Sequence, residues 1–470
     1  MSLSVEQIIS QLTALLGEQA VIGDTGQMAA YLNEPRKRFR TPAVAVARPA
    51  DVAQVQAICR WANENRVALI PQGGNTGLVG AQVPVRGDEV IVSLQRLDRV
   101  REVNAAAGHM TAEAGVILQN AHAAAEAAGA MFPLWIASQG SARIGGVLSS
   151  NAGGVQVLAF GNARELCLGV EAVLADGRLY RGLNALKKDN TGYDLKDLLV
   201  GAEGTLGIIT AATVKLFPMP VAYETAFCSV SGPEAALELF YLIRERAGSR
   251  LTAFELMPRL GLDLELKHGM LPRDPAASMS PWYAVVELNR MKGGLPGALE
   301  AGLEEALSAG IITDASLAQA EADRALMWAA RELMSEVQTK EGASIKHDVS
   351  VPIAAVPQLL AEGIAGATRL VEGIRPCTFG HMGDGNIHFN FSQPEGADPK
   401  AFMAREHEIN DVVYEVVARL GGSVSAEHGI GQLKTDLLQR VKDPVALEMM
   451  RAVKRALDPN GILNPGKMLG

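Results

Sequence analysis

Two polar, glycine-flanked segments in the second half of the sequence carry residues that could bind a metal ion. The segment HMGDGNIHFN places His381 and His388 seven residues apart across a glycine turn, and SAEHG puts Glu427 beside His428. Two histidines and one carboxylate with an open fourth position are typical of a catalytic zinc site. A single histidine is more often an ordinary core residue. From spacing alone, the metal site and ordinary core histidines are equally well supported.

A second group of residues could bind an anion. Arg331 and Ser335 are four residues apart in a predicted helix and therefore share a face, and Lys346 follows in ASIKHDVSVP. Taken alone, these charges would be interpreted as a solvated helix face. The stretch ALMWAAR, which ends at Arg331, is largely apolar, and this favours a partly buried, anion-binding arginine.

Three glycine clusters indicate a cofactor site. The loop PQGGNTGL, residues 71–78, follows a predicted strand and carries three glycines within five residues. Consecutive unobstructed N–H groups of this kind form a nest for a phosphate or pyrophosphate, although a tight structural turn is the simpler alternative. Two further clusters, GGVLSSNAGG and GAEGTLGI, favour the cofactor. The sequence has no GxGxxG fingerprint of a nicotinamide site, and a Walker-like string ends in Met468 instead of Ser or Thr.

Composition limits the class of protein. The chain has 470 residues, 48% of them hydrophobic, and a net charge of −9 from 43 basic and 52 acidic residues. These values exclude bulk disorder and argue against a nucleic-acid partner. The four cysteines form no CxxC pair and are expected to be reduced core thiols. With no secretory signal and no apolar stretch of about 18 residues, we expect no transmembrane segment and a cytoplasmic location.

The elements that position these residues are predicted from hydrophobic periodicity. Residues 44–48 and 67–70 are predicted strands around a helix that follows Asp51, residues 133–160 are predicted to be rich in loops, and 169–182 form a predicted hairpin with an Asp-Gly turn. Later stretches are predicted as helices at 297–309, 315–340 and 353–371, followed by a strand pair at 376–392. The glycine clusters thin out after Pro218–Pro220, and this change predicts domains at 1–218 and 219–422, with 423–470 returning to the first domain.

The glycine clusters, in their order and spacing over residues 40–217, resemble the FAD-binding domain of vanillyl-alcohol-oxidase (PCMH) type flavoproteins. The resemblance implies an α+β fold, with a two-subdomain FAD-binding domain and an α+β substrate or cap domain that contains an antiparallel sheet. Asn75 stands where covalent members often carry histidine, which implies non-covalent FAD. The implied cofactor-binding residues are Pro71, Gly73, Gly74, Asn75, Thr76, Gly77, Leu78, Ser138, Gly140, Ser141, Gly145, Gly146, Asn151, Gly153, Glu203, Gly204, Ile208 and Asn464.

Nearly the whole chain, including its NGILNPGKML ending, resembles the D-2-hydroxyglutarate dehydrogenases within the FAD-linked D-2-hydroxyacid dehydrogenases. The resemblance implies oxidation of D-2-hydroxyglutarate to 2-oxoglutarate, with electrons passed to an acceptor such as an electron-transfer flavoprotein. It implies a zinc ion held by His381, His388 and Glu427, and His428 as the general base. The implied substrate contacts are Arg331, Ser335 (where threonine is usual), Lys346, Asn390 and His428.

Several alternatives stay open at this stage. D-malate is one methylene shorter than D-2-hydroxyglutarate and would suit the same residues. D-lactate has no second carboxylate, so the arginine and lysine would have no purpose. A zinc hydrolase and a non-catalytic flavin-binding subunit are further classes of function. A homodimer is the candidate assembly.

Overall fold

The computed structural model describes residues 3–470 and divides into two compact units. The first unit consists of the residues up to Gly154, of Gly161–Met219 and of Glu427–Gly470. The second consists of Val155–Phe160 and Pro220–Ala426. The domain limits predicted from the sequence stay predictions.

The strands, in chain order, are β1 (Val21–Ile22), β2 (Ala45–Ala47), β3 (Leu69–Gln72), β4 (Val90–Ser93), β5 (Val100–Asn104), β6 (His109–Glu113), β7 (Ala130–Met131), β8 (Cys167–Val173), β9 (Leu179–Arg181), β10 (Ile208–Lys215), β11 (Phe217–Pro218), β12 (Ala222–Val230), β13 (Leu251–Pro258), β14 (Trp282–Arg290), β15 (Asp314–Leu317), β16 (Ser344–Ser350), β17 (Arg375–Pro376), β18 (Phe379–His381) and β19 (Asn386–Ser392). The helices are α1 (Val5–Leu16), α2 (Thr25–Leu32), α3 (Val52–Asn65), α4 (Leu118–Ala127), α5 (Ile144–Ser149), α6 (Val157–Phe160), α7 (Ala163–Leu166), α8 (Lys196–Leu199), α9 (Pro233–Ala247), α10 (Arg259–Lys267), α11 (Ala298–Ser308), α12 (Glu321–Glu332), α13 (Met334–Val337), α14 (Val356–Leu370), α15 (Pro399–Met403), α16 (Glu406–Arg419), α17 (Thr435–Val441) and α18 (Pro444–Leu457).

The first unit begins with a small mixed sheet in the order β1-β2-β4-β3. Strands β2 and β3 both run parallel to β4, as expected for short apolar strands buried on both faces. Helix α3 links β2 to β3, and it begins where the Asp51 side chain accepts a hydrogen bond from the Gln54 N–H. The far edge of β3 is bridged by the C-terminal segment through Leu69 and Leu463. Residues from both ends of the chain therefore build this core.

A second sheet in the first unit is antiparallel, in the order β5-β6-β10-β8-β9. Strands β8 and β9 pair as a hairpin, which confirms the hairpin predicted for residues 169–182. Its turn contains Gly177 at a φ of +80°. Only glycine adopts this conformation without strain, which is why the Asp-Gly pair marked the turn.

The second unit is built on a single large antiparallel sheet. Its strands run in the order β15-β12-β14-β13-β18-β19-β16, and β17 also pairs with β19. The predicted strand pair at 376–392 corresponds to β18 and β19, which lie side by side. This sheet confirms the predicted α+β unit with an antiparallel sheet.

The helix predicted over residues 315–340 is wrong at both its start and its middle. Residues 314–317 form the edge strand β15, paired with β12, because sheet pairing outweighs their weak helical pattern. The helix proper begins at Glu321, and α12 ends at Glu332 before the short α13. Within residues 3–470, no helix combines the length and the apolar character needed to cross a membrane. The four cysteines are buried and free, as predicted.

Candidate active site

The three glycine clusters meet around one cavity in the first unit. Its volume is about 450 Å³, within the range typical of small-molecule and cofactor sites. Most of the predicted cofactor residues line it: Pro71, Gly73, Gly74, Asn75, Thr76, Gly77, Leu78, Ser138, Gly145, Gly146, Gly153, Glu203, Gly204 and Ile208. Gly140, Ser141, Asn151 and Asn464 do not belong to its lining.

Close backbone approach explains why glycines form these walls. A Cβ atom at Gly74 would lie 2.0 Å from the carbonyl oxygen of Ser141, and one at Gly145 would lie 2.7 Å from the Ala114 Cβ. Gly204 combines a φ of +72° with a 3.0 Å approach of its Cβ position to Pro71. Side chains at these positions would push apart the segments that line the cavity.

Four non-glycine residues around the cavity adopt left-handed backbone conformations, which side chains rarely do. They are Asn75, Asn151, Glu203 and Asn464, with φ between 45° and 55°. All four were predicted from the sequence to touch the cofactor. Strained positions of this kind persist only where the surroundings fix them, and they concentrate at functional sites.

The asparagine side chains hold the walls in place. Asn75 Nδ2 donates to the Asn33 carbonyl oxygen at 3.0 Å, and Asn464 Nδ2 donates to the Glu203 carbonyl oxygen at 2.7 Å. Asn151 Oδ1 accepts from the Arg164 N–H at 2.9 Å. Asn151 and Asn464 therefore act on the shape of the cavity from behind its lining.

Glu203 connects the cavity to the segment that carries Glu427 and His428. Its two carboxylate oxygens accept the N–H groups of Ile430 at 2.6 Å and Gly431 at 2.7 Å. Burial raises the pKa of Glu203, and these two backbone donors oppose that rise. Glu427 and His428 line the same cavity, and His428 Nε2 lies 4.0 Å from Glu427 Oε1. The first unit thus presents a carboxylate and an imidazole on the wall of the glycine-walled cavity.

Arg143 and Gln72 are among the lining residues that the sequence analysis did not name. Arg143 donates to the Gly115 carbonyl oxygen, and burial lowers the pKa of its guanidinium. Gln72 Nε2 donates to the carbonyl oxygens of Tyr31 and Gln82, both at 2.8 Å. Arg143 immediately precedes the second glycine cluster, so its position beside a predicted anion site could have identified it.

In the second unit, one face of the sheet carries most of the remaining predicted residues. Lys346 on β16 lies directly opposite Asn390 on β19, and Asp348 lies opposite His388. Because alternate residues of a strand point to the same face, these four side chains share one surface. The amide oxygen of Asn390 is buried and has no hydrogen-bond partner among the described residues. It is available to an added ligand.

The two predicted histidine ligands lie on the neighbouring strands β18 and β19. The rings of His381 and His388 are 5.4 Å apart between centroids, nearly perpendicular to one another. His381 Nδ1 lies 2.8 Å from Glu255 Oε1, where it can donate a hydrogen bond. A carboxylate on one imidazole nitrogen leaves the other nitrogen to bind a metal, an arrangement typical of metal-bound histidine.

Arg331 reaches the same carboxylate. Its Nε donates to Glu255 Oε2 at 2.6 Å, its Nη2 lies 3.4 Å from His381 Nε2, and its guanidinium stacks 4.7 Å from the Phe379 ring centroid. Burial alone would raise the pKa of Glu255, but its interactions with His381 and Arg331 hold it below its ordinary value. Arg331 therefore has Nε bound to Glu255 and Nη2 directed at His381, which leaves Nη1 for an added anion.

Ser335 and Lys346 are joined although the predicted continuous helix is absent. Lys346 Nζ donates to the backbone oxygen of Ser335 at 2.8 Å and to its hydroxyl at 3.1 Å. Arg331 lies in the last turn of α12 and Ser335 in α13, with Leu333 between the two helices. Downstream, the Ala426 N–H donates to the Asp348 carbonyl oxygen at 3.3 Å, and Glu427 is the next residue in the chain.

The fold defines the class of protein. The chain superposes on p-cresol methylhydroxylase with a TM-score of 0.80 at 17% identity, covering 99% of this chain and 96% of that one. It matches a 4-ethylphenol oxidase from Gulosibacter chungangensis with a TM-score of 0.73 at 20% identity, covering 99% and 98%. The family described as FAD binding domain matches residues 43–182, and FAD linked oxidases, C-terminal domain, matches residues 219–468. The chain belongs to the FAD linked oxidases and shares the fold of these two enzymes.

Similar proteins identify the family within this class. A D-2-hydroxyglutarate dehydrogenase of Xanthomonas citri pv. viticola is 36% identical over 93% of this chain and 92% of its own. The mitochondrial D-2-hydroxyglutarate dehydrogenase of Bos taurus is 38% identical over 90% and 76%, and a D-2-hydroxyglutarate–pyruvate transhydrogenase of Saccharomyces cerevisiae is 32% identical over 94% and 90%. The chain belongs to the D-2-hydroxyglutarate dehydrogenase family, and it is an FAD-dependent hydroxyacid dehydrogenase.

Proposed function

We propose that the protein oxidises D-2-hydroxyglutarate to 2-oxoglutarate with non-covalently bound FAD and a zinc ion, and passes the electrons to a separate acceptor. The observation that carries the substrate assignment is the polar sheet face of the second unit. There Lys346 and Asn390 lie opposite each other, two residue pairs along the ladder from His388. Cationic and amide groups beside a histidine suit a substrate with a carboxylate at each end and a hydroxyl near one of them.

The second carboxylate of the substrate is assigned to the cationic residues. Arg331 would meet it through Nη1, since Glu255 occupies Nε and Nη2 is directed at His381. The Lys346 ammonium and the Ser335 hydroxyl, already 3.1 Å apart, would complete the site. Charge-assisted hydrogen bonds of this kind are among the strongest in proteins. Because D-lactate has no second carboxylate, it would gain nothing from these residues.

The metal is assigned to His381, His388 and Glu427. The donor chemistry fits zinc, because two imidazoles and one carboxylate leave a position open for substrate. The contact between His381 and Glu255 supports the assignment, since it puts the proton on Nδ1 and the lone pair on Nε2. Arg331 Nη2, which lies 3.4 Å from Nε2, would have to turn away for a metal to bind there. Of these three ligands, Glu427 also lines the cavity of the first unit, whereas His381 and His388 do not.

The residues would divide the reaction between them. Bound FAD supplies the hydride acceptor, and bound zinc supplies Lewis acidity toward the C2 hydroxyl. His428 accepts the proton of that hydroxyl on its imidazole, while Asn390 orients the end of the substrate that carries the hydroxyl. Arg331, Ser335 and Lys346 hold the far carboxylate, which fixes the C2 hydrogen in one direction. Glu203 keeps the segment with His428 attached to the wall of the cavity.

The test is steady-state turnover of the purified protein with a dye acceptor. The panel contains D- and L-2-hydroxyglutarate, D-malate and D-lactate, before and after chelation and after zinc is restored. We expect the highest kcat/KM with D-2-hydroxyglutarate, loss of activity on chelation with the flavin retained, and recovery with zinc. A preference for D-malate or D-lactate would overturn the substrate assignment, and full activity without metal would overturn the metal assignment. The natural acceptor, the oligomeric state and the cytoplasmic location stay predictions.

A further inference from the structure

Glu255 is a buried carboxylate with a contact on each oxygen. It lies on β13, between β14 and β18, and its side chain is 1% exposed. One oxygen faces His381 Nδ1 at 2.8 Å, and the other accepts from Arg331 Nε at 2.6 Å. These two partners are the residues to which the proposed function gives the metal and the far carboxylate of the substrate.

We propose that Glu255 is a positioning residue that fixes the metal-binding nitrogen of His381 and the direction of Arg331 at the same time. The inference rests on the proposed function and adds to it a residue that touches neither substrate nor cofactor. One carboxylate thereby sets the spacing between the metal end and the carboxylate-binding end of the site. That spacing selects for the length of the diacid.

The first half of the inference concerns the histidine tautomer. A carboxylate can only accept hydrogen bonds, so Nδ1 of His381 carries the proton and Nε2 keeps its lone pair. A glutamine at position 255 reverses this. Its NH2 group cannot face Arg331, because arginine has no acceptor, and must therefore turn toward His381. Nδ1 then becomes the acceptor, the proton moves to Nε2, and Nε2 can no longer bind a metal.

The second half concerns Arg331. Its guanidinium is buried, stacked on Phe379, bound through Nε and directed with Nη2 at His381, so its orientation is fixed. Without the charge on Glu255, the guanidinium loses its strongest contact. We expect it to meet the far carboxylate of the substrate less often, which raises KM for the diacid.

The sheet offers a matched control. Glu287 on the adjacent strand β14 is equally buried and accepts from Arg324, which lies two turns before Arg331 on the same helix. It also accepts from Trp328 Nε1 at 2.7 Å, and it has no histidine partner. Glu287→Gln therefore breaks the same kind of buried pair between the same helix and sheet, but leaves His381 unaffected.

The experiment measures zinc affinity of the metal-free, FAD-bound protein by competition with a chromophoric chelator. We expect Glu255→Gln to weaken zinc binding by about 10- to 100-fold, the range typical when a partner of a metal-bound histidine is lost. Glu287→Gln should leave zinc affinity unchanged within about twofold, although both variants lower Tm. The KM for D-2-hydroxyglutarate should rise in Glu255→Gln by more than that for D-lactate. If Glu255→Gln does not fold, Glu255→Asp keeps the charge on a shorter arm and should bind zinc with intermediate affinity.

The outcomes separate this inference from the proposed function. Wild-type zinc affinity in Glu255→Gln, or equal losses in Glu255→Gln and Glu287→Gln, would overturn the positioning role alone. Zinc binding that depends on Glu255 in a protein that does not oxidise D-2-hydroxyglutarate would overturn the substrate assignment and leave the positioning of His381 supported. Absence of zinc binding in the wild-type protein would overturn both.

Discussion

Glu265 on α10 should make the stability of this protein fall as the pH rises. Its side chain is fully buried, and neither carboxyl oxygen has a hydrogen-bond partner among the described residues. Burial raises the pKa of Glu265 to about 9, and the charge of Arg331 opposes that rise only in part. The folded protein therefore keeps Glu265 protonated at neutral pH, whereas the unfolded chain releases this proton near the ordinary pKa of 4.5.

The size of the effect on the free energy of unfolding follows from the difference between the folded and unfolded pKa of Glu265. For a group whose pKa is raised by folding, the contribution to stability is fully present below pH 4.5 and is lost progressively up to about pH 9. Between these limits the loss is about 1.4 kcal/mol per pH unit. From pH 5.5 to pH 8, the contribution of Glu265 to the free energy of unfolding should fall by about 3 kcal/mol, as an upper limit.

Glu265→Gln removes this dependence, because glutamine stays neutral at every pH. The FAD-bound wild-type protein and the variant are unfolded with denaturant in parallel at pH 5.5, 6.5, 7.5 and 8. We expect the free energy of unfolding of the variant, relative to that of the wild-type protein, to rise at each step to higher pH. Glu304→Gln, which removes an acidic group from an exposed position, corrects for the change in net charge. A constant difference between Glu265→Gln and the wild-type protein would show that folded Glu265 carries its charge at neutral pH and would refute the reasoning.

Further predictions concern the cavity and the substrate. Glu203→Gln leaves one backbone donor near His428 without an acceptor and should lower the free energy of unfolding by about 1–3 kcal/mol. It should also reduce kcat with FAD still bound. Unchanged denaturation and kcat would contradict the role of Glu203. Arg331→Ala and Lys346→Ala should each lower kcat/KM for D-2-hydroxyglutarate about 10- to 100-fold more than for D-lactate, and equal losses for the two acids would remove these residues from the carboxylate site. Because Asn75 cannot form a histidyl bond to the cofactor, acid precipitation should release all the yellow colour, and colour in the pellet would contradict non-covalent FAD.

The glycine-walled cavity was largely predictable, because its determinants are local. Each cluster is a run of glycines beside a strand or helix. A few consecutive residues therefore determine the close backbone approach, as at Gly74. One detail differs from the expected loop: Gly145 and Gly146 lie inside the short helix α5. The helix forms because the flanking Ile144, Val147 and Leu148 bury their side chains.

Glu255 could not be predicted because its signal is not local. It lies in the buried run AFELMP of β13, where a single acidic residue has no distinguishing neighbour. Its role is evident only in the folded sheet, where β18 lies alongside β13 and α12 places Arg331, 76 residues later in the chain, against Glu255. The break between α12 and α13 is similarly set by tertiary packing, since no glycine or proline marks Leu333.

The pairing of the C-terminal segment with β3 has a consequence for the order of biosynthesis. The Leu69 N–H donates to the Ile462 carbonyl oxygen, and the Asn464 N–H donates to the Leu69 carbonyl oxygen, both at 2.8 Å. When residues up to 426 have been synthesised, the whole second unit is present. The strand-like C-terminal segment that completes the first unit has not yet been made. On the nascent chain, the later-encoded unit can therefore mature before the earlier one. Premature termination within α18 would leave an open edge on β3, available to pair with another chain.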